Sequence, residues 1–407
     1  MGRVVAEMRT YTTATAPFDR RLKTAVLGQL APRWERVETI DTRYHVRHHA
    51  LPAPGRPEQL DDLVSTLHTS PLDKAHPLWT IHVVEGLQGG GFAVVGKMHH
   101  ALMDGVYAAR LVERWLSESP DTTATPPIWA NPPRSPVVSA KWRASLASQV
   151  TGIVRGLTWA ATGLSARPRS GPATMLNKPI SSSRRVATTS FDLERFRRVA
   201  KASGATINDA VLAVCSGALR DYLADHQALP DDSLLATIPV SLAAADDTRA
   251  GGNAVTFAIV DLATSESDGN RRLNRIATGT RSAKRRLATL DPTGLAVYSL
   301  CGVATPILVE QLLGLDGRIT PMSNVAISNV TGPRKALYYN GAALQRLGAI
   351  TVLYGGQGLN IVAMSYADTL QFTFTACGTL LPDVEQLTEH CRQALDHLET
   401  AICELAR

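Results

Sequence analysis

A strand pattern that runs into two adjacent histidines, and from them into a helix pattern, constrains this chain more than any other stretch. Phe92, Val94 and Met98 interleave with Ala93, Val95 and Lys97, which is the period of a strand. Val106, Ala109, Leu111, Val112, Trp115 and Leu116 recur at the three-and-four spacing of an amphipathic helix. Between them lie His99-His100-Ala101-Leu102-Met103-Asp104-Gly105. Two histidines and an aspartate are thereby assigned to a strand-to-helix turn, where a loop can carry chemistry on a rigid scaffold. Asp104 also suits a helix start, because its carboxylate can accept from the unpaired N–H groups of a first turn.

Histidine is the one side chain whose ordinary pKa lies near neutrality, so it can accept and return a proton within one turnover. A nearby carboxylate fixes its tautomer and ring direction. Such a pair can deprotonate a hydroxyl that attacks a thioester and then protonate the departing sulfur, with no covalent intermediate. A plainer reading stands beside this one: a hydrogen-bonded structural pair, with Asp104 only an N-cap. A metal site has less support. Adjacent strand residues point to opposite faces, and no third ligand follows at zinc-like spacing.

His-His-Ala-Leu-Met-Asp-Gly matches the HHxxxDG motif of coenzyme A-dependent acyltransferases, a motif shared with peptide-synthetase condensation domains and plant alcohol acyltransferases. Its surroundings narrow the match. Pro71 to Trp79, then Glu85-Gly86-Leu87 and Lys97-Met98-His99-His100, resemble the bacterial wax ester synthase/diacylglycerol acyltransferase family. The likeness continues downstream in Asn208-Asp209, Gly252-Asn253, the run Ser323 to Pro333, and the pair Leu359 to Tyr366 and Phe372 to Phe374. Thr331 stands where the family's NVPGP pattern has its first proline. The resemblance covers most of residues 44–116 and 172–405, in order.

The resemblance implies an α/β (α+β) protein of two chloramphenicol acetyltransferase-like subdomains. Each would be a mixed sheet with helices, with a tunnel between them for acyl-CoA and an alcohol. It implies an O-acyltransferase that makes triacylglycerol from diacylglycerol, wax ester from a long-chain alcohol, or both. His100 would be the general base, Asp104 would orient the turn, His99 would support it from behind, and Gly105 completes the motif. Pro77, Leu78 and Trp79, with Asn208, Asp209 and Asn253, are the candidate substrate-binding residues. Each has a structural alternative: a core anchor for Pro77 to Trp79, an N-cap pair for Asn208 and Asp209, a loop tie for Asn253 in place of an oxyanion donor. Acyl-CoA enters as a donor substrate, and neither a permanent cofactor nor a metal is implied. Two rival readings keep the fold: an inactive lipid-surface binding protein, and an HHxxxDG acyltransferase that takes a carrier-bound donor.

At 407 residues the chain is long enough for two domains. We read 1–118 as an N-terminal subdomain, short at its start relative to the family pattern, 119–172 as a linker, and 173–407 as a C-terminal subdomain. The net charge of +6 suits anionic lipid surfaces or cofactor phosphates and does not by itself indicate nucleic acid. Cys215, Cys301, Cys377, Cys391 and Cys403 form no CxxC and fit buried thiols of a reducing compartment. No signal-peptide pattern opens the chain, Ala6 breaks the myristoylation pattern that Gly2 begins, and no apolar run is long enough to span a bilayer. A cytoplasmic protein is expected, with contact at the inner membrane or a lipid droplet that is peripheral only.

Along the chain, Arg20 to Leu30 reads as helical, Tyr44 to Val46 as a strand, and Arg47-His48-His49 as solvated polar residues. Trp79 to Val84 and Phe92 to Met98 read as a hairpin about Gly89-Gly90-Gly91. Within the linker, Trp142, Leu146, Val150, Ile153 and Leu157, with Lys141, Arg143 and Arg155, make a basic amphipathic pattern that suits a lipid interface or the protein's own surface. Thr206 or Asn208 is expected to cap a long helix to Leu223, and Leu381-Pro382-Asp383 to start a C-terminal helix.

Overall fold

A computed structural model describes residues 2–23, 33–103, 105–130, 170–241, 255–299, 301 and 305–405. The basic amphipathic pattern of Trp142 to Leu157, like Asp104 and Asn253, lies outside them. The chain divides into two compact units, and the division does not follow sequence order: Val330–Leu347 belongs to the first unit, with the residues before 140.

In the first unit, strands β3 (Val46–Ala50), β4 (Trp79–Glu85) and β5 (Ala93–Met98) form one sheet in the order β3-β4-β5. The β3–β4 pair is parallel and the β4–β5 hairpin antiparallel, with Trp79 opposite Met98 and Val83 opposite Val94. β4 is central, and all of it but its last residue is buried, as expected for a run of β-branched and aromatic residues. Gly89 and Gly90 both have positive φ, which is why the hairpin turn is glycine. Helix α3 (Pro57–Thr69) starts with Pro57 in its first turn, and the Arg56 N–H donates to Gln59 Oε1 at 2.7 Å. At its other end the Lys97 ammonium, carried by β5, donates to the carbonyls of Leu67 at 2.6 Å and of Ser70. A cation thus meets the negative end of the helix.

Three expectations change here. Arg20–Lys23 is a strand, β1, paired antiparallel with β2 (Arg33–Arg36), because a partner ten or more residues away overrides local spacing. Thr42–His45 is one helical turn, capped by Asp41 Oδ1, which accepts from the Arg43 and Tyr44 N–H groups; the strand begins only at Val46. His48 and His49 are not simply solvated: His48 Nε2 lies 3.2 Å from Glu85 Oε1, and His49 Nε2 lies 2.9 Å from His82 Nδ1. The opening of the segment read as a linker is also packed, since Ile128 and Trp129 are buried and Thr125 N–H donates to Asn340 Oδ1.

The second unit holds a six-stranded mixed sheet in the order β6-β13-β12-β9-β7-β8. These are β6 (Arg184–Asp192), β7 (Leu235–Ser241), β8 (Val255–Asp261), β9 (Val325–Thr331), β12 (Leu359–Tyr366) and β13 (Thr369–Cys377). All the described pairs are antiparallel except β7 with β9. The buried helix Ile207–Asp225 and the C-terminal helix Gln386–Leu405 pack together so closely that a Cβ on Gly217 would lie 2.9 Å from Ala394 Cβ. That second helix starts at Gln386, later than the Leu381-Pro382-Asp383 expectation. Val384 and Asp383 instead form a turn, and Asp383 Oδ1 accepts from the Tyr222 hydroxyl at 2.7 Å. Among the described residues no single helix is long and apolar enough to cross a membrane.

Candidate active site

The two histidines sit where the β4–β5 ladder runs out. After the Trp79–Met98 pair, His99 N–H still donates to Leu78 O at 2.9 Å, and then the chain turns. Leu102 N–H closes the turn on His99 O at 2.9 Å, and helix α4 (Gly105–Trp115) begins at once. The His99 ring, exposed like that of His100, braces this turn, because its Nδ1 accepts from the Ala101 N–H at 3.2 Å. In the neutral ring the proton is therefore on Nε2. Partial burial holds His99 below its ordinary pKa, and the charges of His100 and Lys74 add to that. His100 is exposed, and its ring has no hydrogen-bond partner among the described residues. Both rings are exposed, and what separates them is that His99 is tied to the turn by a hydrogen bond.

Gly105 opens α4 without a positive φ, and a Cβ there would meet Val330 Cγ2 at an ordinary 3.7 Å. Val330–Leu347 is the segment that returns from the second unit's sheet to this helix. Ser117 and Tyr338 exchange backbone hydrogen bonds of 3.0 and 2.7 Å, Lys335 meets Glu118 at 2.7 Å, and the Tyr339 ring packs on Trp115 at 5.1 Å. The Asn329 to Pro333 run thus leads directly to the helix that follows the histidines.

Beneath the turn, Trp79 is fully buried. His45 lies flat against it at 4.0 Å, Phe18 meets its edge at 5.4 Å, and its indole N–H donates to Phe18 O at 2.8 Å. Pro77 and Leu78 are buried as well. Pro77, Leu78 and Trp79 thus anchor the strand that carries the turn. Asp209 is likewise held by the protein's own groups. It belongs to the other unit and is 2% exposed. Its Oδ2 accepts from Thr206 N–H and Oγ1, and its Oδ1 from Thr280 Oγ1 at 2.6 Å. Asn208 beside it is half-buried in the helix's first turn.

Two family models match this chain. The wax ester synthase/diacylglycerol acyltransferase catalytic domain matches residues 1–211, and the WS/DGAT C-terminal domain matches residues 251–399. The chain belongs to the wax ester synthase/diacylglycerol acyltransferase family. A Mycobacterium tuberculosis member, named as a probable diacylglycerol O-acyltransferase, is 38% identical over 399 residues, covering 95% of this chain and 88% of that one. O-acyltransferase WSD of Acinetobacter baylyi is 35% identical over 395 residues, covering 91% and 84%. The solved wax ester synthase/diacylglycerol acyltransferase of Marinobacter aquaeolei VT8 superposes with a TM-score of 0.79 at 33% identity, over 99% of this chain and 90% of that one. A condensation domain of the calcium-dependent antibiotic synthetase, at 15% identity and a TM-score of 0.61, shares the fold.

Within this wax ester synthase/diacylglycerol acyltransferase chain, sequence reasoning missed the groups that hold the turn in place. Lys97 counted only as a strand residue and as part of the family match, yet its ammonium ties β5 to α3, and its burial pulls its pKa down. The buried chain from Thr80 Oγ1 to His82 Nε2, at 3.0 Å, and on to His49 also lies in this sheet. Period-two spacing of Thr80 and His82 in an apolar strand was the available signal for that chain.

Proposed function

We propose that this protein transfers an acyl group from acyl-CoA to the hydroxyl of diacylglycerol, of a long-chain alcohol, or of both, with His100 as the general base. The observation that carries the proposal is the division of labour in the turn: His99 is consumed by Ala101 N–H, while the exposed His100 ring is free of partners among the described residues. His100 takes the hydroxyl proton as the oxygen attacks the thioester carbonyl. The tetrahedral intermediate collapses, the C–S bond breaks, and the imidazolium returns its proton to the coenzyme A sulfur. Asp104 orients the turn and the imidazole, and His99 keeps the backbone of the turn in register. The names of the mycobacterial and Acinetobacter relatives support an O-acyl acceptor.

The test uses labelled long-chain acyl-CoA with diacylglycerol and, separately, hexadecanol. Labelled ester with matching release of coenzyme A thiol is expected, and the faster acceptor names the main reaction. No ester from either acceptor, or ester only from a carrier-bound acyl group, contradicts the proposal.

A further inference from the structure

Helix α3 ends without the usual means of closing its last turn. Ser70 is extended, and Pro71 after it has neither an N–H nor access to the left-handed conformation that commonly caps a helix. The last carbonyls of a helix have no partner within it. Here they converge on one side chain from another element. The Lys97 ammonium reaches Leu67 O at 2.6 Å, His68 O at 3.5 Å, and Ser70 O as well. An ammonium has three N–H donors, and these three carbonyls account for all of them.

Lys97 stands opposite Thr80 in the β4–β5 ladder, next to the final Trp79–Met98 pair and two residues before His99. His99 N–H then donates to Leu78 O at 2.9 Å. The loop of residues 71–78 is thereby tied to one strand at both ends, by Lys97 where it leaves α3 and by His99 where it enters β4. Between these ties Asp73 N–H donates to the Tyr44 hydroxyl at 3.0 Å, and the His76 ring stacks on Tyr44 at 3.9 Å. The tie at the helix end is a single side chain.

We propose that Lys97 is a positioning residue for acyl transfer: by gripping the end of α3 it fixes where β5 ends, and so where the His99–His100 turn stands. The proposal rests on the reading of His100 as the base. Without the ammonium, the end of α3 and the end of β5 settle separately. A reacting group misplaced by about 1 Å costs on the order of a hundredfold in rate. Lys97 keeps no donor for a substrate, so its removal acts on the rate of the chemical step and not on the binding of acyl-CoA or acceptor.

The test is steady-state ester formation by the full chain, with melting midpoints to show that each variant is folded. Lys97→Met keeps the apolar stem and removes the donors. Its kcat should fall by about 10- to 100-fold while KM for acyl-CoA and for the acceptor stays at the parental value. Lys97→Arg, which restores N–H donors, should recover most of the loss. If Lys97→Met does not fold, Lys97→Gln, with its shorter amide donor, carries the same comparison. The double variant with His100→Ala separates this proposal from the one beneath it. Groups that act as a unit are not additive, so Lys97→Met should slow His100→Ala by less than about twofold. A parental rate in folded His100→Ala alone strikes the base reading. A folded Lys97→Met with parental kcat, a loss seen only in KM, or a full multiplied loss in the double variant would overturn the positioning role while leaving His100 as the base.

Discussion

Asp209 sits beside Asn208 in an Asn-Asp pair at a helix start, and such a pair invites a ligand role. Its environment argues otherwise. One oxygen closes the N-terminus of Ile207–Asp225 and the other accepts from Thr280, so the buried carboxylate holds the start of the helix. Asp209→Ala removes a helix cap and leaves buried hydroxyl groups without an acceptor, at an expected cost of ~1–3 kcal/mol. A lower urea midpoint with an unchanged KM is the predicted result. A raised KM at parental stability would restore a substrate contact. His45 makes the same point through its ring. Its Nδ1–H donates to Trp79 O at 2.8 Å while its face covers the indole, so the histidine supports β4.

At the scale of elements, the three-stranded sheet carries a pH dependence of its own. Burial is the main cause that pulls both His45 and His82 from 6.5 to about 4. Between those values the unfolded chain binds protons that the folded sheet refuses, so stability falls as pH drops from 6.5 towards 4. Thermal midpoints at pH 7 and pH 5 should show the lower value at pH 5, and a level profile would contradict the assignment. This hairpin was legible beforehand because its information is local: alternating apolar residues, a glycine turn, then helical spacing from Val106. The β1–β2 ribbon was not legible. Arg20–Lys23 becomes a strand through Arg33–Arg36, and neither segment alternates clearly in polarity. The late start of Gln386–Leu405 was hidden for a similar reason, since Asp383 is held by Tyr222 from a distant helix.

For the molecule as a whole, the order of elements in sequence is not their order in space. Val330–Leu347 leaves the second unit's sheet and packs beside α4, so the first unit is completed by residues more than two hundred positions downstream of its helix. That return could not be read from periodicity, although the Asn329 to Pro333 run itself could. The histidine pair was legible as chemistry because few side chains offer a proton acceptor near neutrality. Which ring does structural work depended on one hydrogen bond, from Ala101 N–H to His99, that only coordinates reveal. The central claim is that the His100 ring is the base. The most direct measurement is acyl-CoA-dependent ester formation by His100→Ala, with a melting midpoint to show that it folds. General-base catalysis predicts a rate lower by about 10²–10⁴-fold at an unchanged midpoint. A folded His100→Ala protein that makes ester at close to the parental rate would contradict the account.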